Sequence, residues 1–228
     1  MAGTKTWLVT GANRGLGLEI CRQLLARGED VLATARRPKE ATELAALGPR
    51  RLLPLDVGDP VSVADLADAL GDDPIDVLVN NAGIGGSGQG IEQLDFAGLE
   101  RYVSINSLGP LRVTQALLPH LTRGGRRIVA SISSNMGSLT NNRDGGAYGY
   151  RASKAALNML NRSLAHELSG RGFVCVVLHP GWVRTDMGGD RAPLSPEESV
   201  AGMVRVMDGL GPDLNGAFLD HRGERLPW

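Results

Sequence analysis

Short apolar runs alternate with longer stretches of helical periodicity along the whole chain. Runs such as "DVLV" and "VCVVL" lack a polar residue at every second position, the habit of strands covered on both faces in a parallel sheet. Strands are predicted on this basis at 6–10, 30–35, 51–55, 75–79, 127–132, 173–179 and 217–220. Helical patterns fill the intervals at 16–27, 39–47, 61–70, 95–121, 148–168 and 196–209. This alternation predicts the α/β class: a single domain over residues 1–228, with a doubly wound parallel sheet of about seven strands and helices on both faces. A ligand then sits beyond the carboxyl ends of the strands, where the strand order reverses.

The chain's 228 residues suffice for one substantial core. Its 24 basic and 25 acidic side chains leave a net charge of -1, which offers no footprint for nucleic acid or an anionic membrane. A small-molecule partner is expected instead. The N-terminal "MAGTKTWLVTGANRG" runs into a strand without an apolar signal segment, and no run of about 18 apolar residues occurs. Cys21 falls in a predicted helix and Cys175 in a predicted strand; buried reduced thiols and a cytoplasmic setting are expected. His120, His166, His179 and His221 show no metal-ligand spacing, so no metal is expected. The 31 glycines cluster in turns such as "GIGGSGQG", "NNRDGG" and "TDMGGD", where binding loops belong.

Candidate chemistry begins where the first predicted strand ends, in Thr10, Gly11, Ala12, Asn13, Arg14, Gly15, Leu16 and Gly17. Glycines at 11, 15 and 17 permit a tight turn and close backbone approach, and the helix that follows aims free N–H groups and its positive dipole end at a phosphate. Tyr150 and Lys154 stand at i and i+4 on one helix face. An ammonium beside a phenol is expected to lower its pKa and make it a usable proton donor or acceptor. The same spacing occurs on ordinary solvated helices, so its meaning depends on its company. Ser134 ends the fifth predicted strand; Ser131 and Ser133 are rivals, although alternation along the strand sends Ser133 to the other face. Asn106 lies inside a helical pattern with Pro110 four residues on. Proline has no N–H, so the Asn106 carbonyl loses its helical partner and needs another donor, most simply a water. A plain helix kink is the alternative.

The glycine turn has the spacing G-x-x-x-G-x-G, and "LDV" at 55–57, "NNAG" at 80–83, Asn106 in "SINSLGP", "ISS" at 132–134, "YGYRASK" and "HPGWVRTDM" follow in order. On these segments the chain resembles the short-chain dehydrogenase/reductase family from end to end. "GSLTNNRDGGAYGYRASKAALN" and "LDHRGERLPW" resemble more narrowly its C-factor and sniffer type of carbonyl reductase. The resemblance implies a Rossmann-type sheet, a nicotinamide cofactor and reduction of a ketone, aldehyde or quinone to an alcohol. It makes Tyr150 the general acid/base and gives Lys154 the nicotinamide ribose hydroxyls as well as the phenol. It places Ser134 on the substrate oxygen and Asn106 on a relay water. Asp56 and Val57 fall to the adenine, Asn80, Ala82 and Gly83 to the sheet and ribose region, and Pro180, Gly181, Val183 and Thr185 to the nicotinamide end. Asp56 could instead cap the next helix. The Ser134 to Tyr150 spacing exceeds the family habit, with "NNRDGG" absorbing the extra residues as a loop. The stretch 188–196 is short for this family's substrate lid, which implies a small or open pocket.

Charge then selects the cofactor. An enzyme using NAD usually carries Asp or Glu about 20 residues beyond the glycine turn, on the ribose 2'-OH. Here that position is near Ala35, with Arg36 and Arg37 following and Arg14 inside the turn. Guanidinium groups suit a phosphate, so NADP(H) is expected, with Arg14 and Arg36 on the 2'-phosphate. Solvated surface arginines are the alternative. The family also pairs the helices at 95–121 and 148–168 across a two-fold axis, so a homodimer or homotetramer is expected. Two other functions compete: a redox sensor that binds NADPH with little turnover, and a biosynthetic ketoreductase acting on a carrier-bound substrate. The set Asn106, Ser134, Tyr150 and Lys154 favours turnover, since a pure sensor has no need of it.

Overall fold

The computed structural model describes residues 3–85 and 90–228. Part of the glycine-rich "GIGGSGQG" segment lies outside them. Seven strands form one sheet: β1 (Thr6–Val9), β2 (Asp30–Ala35), β3 (Arg51–Pro54), β4 (Val77–Asn80), β5 (Ile128–Ile132), β6 (Val174–His179) and β7 (Phe218–Asp220). Every pairing is parallel and the order is β3-β2-β1-β4-β5-β6-β7. The order reverses between β1 and β4, so the glycine turn after β1 and the Asn80 to Gly83 segment after β4 open side by side. This is the Rossmann-type arrangement that the apolar runs predict.

Alternation of side chains along β1 explains the two layers of helices. Trp7 and Val9 face one core, shared with α1 (Gly15–Ala26), α2 (Thr42–Ala46) and α8 (Pro196–Asp208). Leu8, between them, faces the other core, filled by α3 (Pro60–Leu70), α5 (Gly109–Ala116), α6 (Leu118–Arg123) and α7 (Tyr148–Leu168). Both cores are closed to solvent, and each fully buried Leu or Ile contributes about 1.5–3 kcal/mol relative to exposure. Cys21 and Cys175 are buried free thiols, one in each core, and burial pushes both up to about 12.

The one large departure from the pattern is the helix expected at 95–121. It is broken into α4 (Phe96–Val103), a π-helical turn at Ser104–Leu108, α5 and α6. Pro110 and Pro119 explain the breaks, since each removes a backbone donor. The π turn lets Gly109 N–H reach back to the Ser104 carbonyl, widening the backbone where Asn106 sits. Among the described residues no helix is long and apolar enough to cross a membrane.

Candidate active site

A cleft of about 1100 Å³ opens beyond the carboxyl ends of the strands, spanning the switch point. Gly11, Asn13, Arg14, Gly15 and Leu16 line one end, Arg36, Asp56 and Val57 the next stretch, and Ala82, Gly83, Tyr150, Lys154, Pro180 and Thr185 the other. Gly17, Asn80, Asn106, Ser134, Gly181 and Val183 stand behind this surface or beside it.

The glycine turn is built for close approach. Gly11 adopts φ +63°, and a Cβ there would lie 2.9 Å from the Ala82 Cα. A Cβ on Gly17 would collide with the Gly11 carbonyl oxygen and the Asn81 side chain. Asn81 therefore matters although sequence reasoning stopped at its neighbour Asn80. Its Nδ2 donates to the carbonyls of Thr10 (2.9 Å) and Gly11 (3.1 Å), tying the ends of β1 and β4 together. Thr10 completes the tie, its Oγ1 accepting from the N–H groups of Asn81 and Ala82. Asn80 points into the sheet, donating to Thr114 and Ser131 from a buried position. Both asparagines stand in the "NNAG" segment; only the contact with the turn tells their tasks apart.

The adenine and phosphate end holds Asp56, whose carboxylate accepts from the Gly58 N–H at 2.9 Å. It does not cap the next helix: Asp59 does, accepting from Val61 N–H. Arg37 pairs with Glu40, and Arg14 with Asp186 at 2.7 Å across the mouth of the cleft. No ion pair or hydrogen bond among the described residues engages the Arg36 guanidinium, which lines the cleft. Of Arg14, Arg36 and Arg37 it is the one without a carboxylate partner among the described residues.

At the other end, Tyr150 and Lys154 sit one turn apart on α7, the ammonium 5.8 Å from the phenol ring centre. Lys154 is buried and donates to the Ile132 carbonyl at 2.8 Å. The expected lowering of the tyrosine pKa is overturned in this arrangement. Burial, the largest influence, holds the phenol above its ordinary value; a hydrogen bond with the Ser134 hydroxyl pulls the other way but does not win. Burial also lowers the Lys154 ammonium to about 8, so it remains mostly charged at neutral pH. Ser134 accepts from Met136 N–H and stays beside the phenol. Its rival Ser133 is turned away to Asn158, at 2.6 Å, and Ser131 is taken by Asn80.

The long segment between Ser134 and Tyr150 is folded on itself. Asn141 donates to Asn135 at 2.6 Å, Asn142 accepts from Gly145 N–H, and Thr140 N–H reaches the Trp228 carbonyl. Gly145, Gly146 and Ala147 then take left-handed φ values of 65°, 64° and 45° before α7 begins. Ala147 is the strained one, since a Cβ disfavours that region. The loop thus keeps the serine and tyrosine together, as its polar composition predicts.

Asn106 is 1 % exposed, and its side chain is fully engaged: Oδ1 accepts from Ile84 N–H, and Nδ2 donates to the Ile84 carbonyl and Ser153 Oγ. A Cβ on Gly83 would lie 3.1 Å from the Asn106 Oδ1 and 3.9 Å from the Lys154 Nζ, which brings all three to one spot. Pro180 accepts from Ser199 Oγ at 2.6 Å, and Val183 pairs with Leu194, which fixes the backbone before Thr185. Beyond it, Met187 lies against Gly85. His179 is half-buried next to His221 and held down to about 4, chiefly by that burial, so it is neutral. Among the described residues no group of three or more His, Cys, Asp or Glu could hold a metal.

Lys154 yields a stability prediction. Its folded pKa lies below its unfolded one, so the folded state is penalised while both forms are charged. A displacement from 10.5 to about 8 corresponds to roughly 3 kcal/mol, from which the stranded Ile132 carbonyl subtracts about 1 kcal/mol. Lys154→Met is therefore expected to be more stable than the parent by about 2 kcal/mol at pH 7. The difference should shrink as pH rises from about 8 to 10.5, because the parent gains stability across that window. Urea unfolding at pH 7 and 10 measures it.

Comparison with known proteins agrees with this geometry. Residues 5–194 match the family model for short chain dehydrogenase. The chain is 55 % identical over 155 residues to the C-signal of Myxococcus xanthus, covering 68 % of this chain and 93 % of that one. It superposes on the carbonyl reductase Sniffer of D. melanogaster with a TM-score of 0.94 at 33 % identity, over 99 % of this chain and 100 % of that one. The NADPH-bound carbonyl reductase from chicken fatty liver gives 0.91 at 36 % identity, over 99 % of each. The chain belongs to the short-chain dehydrogenase/reductase family of oxidoreductases.

Proposed function

We propose that residues 1–228 act as one unit, an NADPH-dependent carbonyl reductase that converts a ketone, aldehyde or quinone to an alcohol. The observation that carries this reading is a cleft lined by Tyr150 and Lys154 at one end, with Ser134 beside the phenol, and by Arg36, without an ion pair among the described residues, toward the other. The turn at Gly11, Gly15 and Gly17 fits a pyrophosphate, because Gly11 and Gly17 let it pack against Ala82 and Asn81 while α1 opens at Gly15 with its free N–H groups at the cleft. Arg36, with Arg14 once Asp186 releases it, would hold the 2'-phosphate. Asp56 and Val57 would meet the adenine, Asn13, Leu16, Ala82 and Gly83 the middle of the cofactor, and Pro180, Gly181, Val183 and Thr185 the nicotinamide end. When bound, that cofactor supplies the hydride.

Negative charge growing on the substrate oxygen needs a donor and then a proton. The Ser134 hydroxyl is the donor and the Tyr150 phenol the acid. The phenol, held above its ordinary pKa by burial, carries the proton it would donate in reduction at neutral pH. Lys154 holds the ribose and returns a proton toward Tyr150. Asn106, bonded to Ile84 and Ser153, fixes the backbone behind the lysine. NADPH oxidation followed against a panel of activated ketones, aldehydes and quinones tests the activity.

The similarity to the C-signal of Myxococcus xanthus favours a second reading, signalling with little turnover. Tight NADPH binding with no turnover on any carbonyl of the panel would select it.

A further inference from the structure

The catalytic helix α7 is not held by its own residues alone. Tyr102, on α4, meets the Tyr150 ring edge to face, with ring centres 6.3 Å apart and planes at 78°. Between the two tyrosines α7 carries Gly149, and a Cβ there would lie 2.7 Å from the Tyr102 Cδ2, 3.3 Å from its Cε2 and 3.4 Å from the Leu99 Cγ. The absence of a side chain at 149 is what lets the Tyr102 ring lie on the helix and reach Tyr150.

We propose that Tyr102 is a positioning residue for proton transfer, its ring clamping the Tyr150 phenol in the orientation that faces Ser134 and keeping water from its flank. This rests on Tyr150 acting as proposed above. The other groups around the phenol do not duplicate the task. Ser134, at the end of β5, reaches it through a hydroxyl, and Lys154 through a charge one turn along α7. Glu100 and Arg101, the charged neighbours of Tyr102 on α4, line the cleft as well.

The test reads kcat, KM and the pH profile of carbonyl reduction in Tyr102→Leu, Tyr102→Phe and Gly149→Ala. Tyr102→Leu is expected to lower kcat about tenfold or more with little change in KM for NADPH. It also opens the phenol's flank to water, so the phenol's pKa falls toward its ordinary value. The acid is lost at lower pH, and the alkaline limb of kcat/KM moves down. A purely structural weakening would not move that limb. Tyr102→Phe, which keeps the ring, restores most of the rate.

Gly149→Ala displaces the ring and is expected to move kcat and the limb in the same direction, even if Tyr102→Leu folds poorly. In the double variant Tyr102→Leu/Gly149→Ala the two losses should not add. The proposal is overturned if kcat and the limb stay within twofold and 0.2 pH units (about the scatter of such profiles) in both Tyr102→Leu and Gly149→Ala. It is overturned equally if Tyr102→Phe is as poor as Tyr102→Leu. Tyr150→Phe separates the two levels: full activity there removes the proposed function itself, whereas its loss beside an unaffected Tyr102→Leu removes only the clamp.

Discussion

Tyr150→Phe is expected to lower kcat for carbonyl reduction by about 10³-fold, within the range of about 10² to 10⁴ that a positioned general acid contributes. The substitution keeps the ring, so the edge-to-face contact with Tyr102 and the packing on α7 survive. Only the O–H is removed, together with its hydrogen bond to Ser134. KM for NADPH should change little, because Lys154, Arg36 and the glycine turn are untouched. The sign of the pH dependence follows from burial. The protonated phenol is the active form in reduction, so the parent's rate falls as pH rises through the raised pKa. The variant should lose that limb altogether. Retention of more than half the parent's kcat would falsify the assignment of Tyr150 as the acid.

Arg36→Asp is expected to shift the ratio of kcat/KM for NADPH over NADH by about 10²- to 10⁴-fold toward NADH. A charge-assisted contact with a phosphate contributes about 1.5–3 kcal/mol, and an acid at the same place adds repulsion of comparable size. With about 1.4 kcal/mol per tenfold, the sum reaches that range. Arg36 is the residue to change because it has no competing partner among the described residues, whereas Arg14 is engaged by Asp186 and Arg37 by Glu40. An acid at position 36 can also accept from a ribose 2'-OH, which helps NADH directly. Fold stability should be unaffected, since the side chain supports nothing around it. Initial rates with both cofactors decide the matter, and an unchanged ratio would mean that the 2'-phosphate lies elsewhere.

The sheet was legible because strands buried on both faces read as short, continuously apolar runs, here set between longer helical patterns. All seven strands fall within two residues of their expected bounds, and α7 matches its pattern at both ends. The helix at 95–121 was legible as an apolar stripe but not as a broken one. Periodicity survives a π turn, and only Pro110 and Pro119 hint at the interruptions. Tyr150 and Lys154 were visible through their spacing in the company of the glycine turn, and Ser134 through the family resemblance of "ISS".

Three contributors were not. Asn81 acts by tying two strand ends that are seventy residues apart in sequence, a contact no local pattern encodes. Asp186 meets Arg14 across the cleft for the same reason. The tyrosine pKa was misjudged because spacing reveals the neighbouring charge but not the burial that outweighs it.

The all-parallel sheet has one more consequence. Since every strand runs the same way, the turns leading into them, such as 71–76 before β4 and 124–127 before β5, gather on the rim opposite the cleft. A strand of six residues spans roughly 20 Å at about 3.3 Å per residue, so that rim is remote from the phenol. Asp72 there is fully exposed. The protein can be gripped from behind: a fluorophore, surface tether or fusion partner attached at that rim leaves the chemical end free to face its substrate.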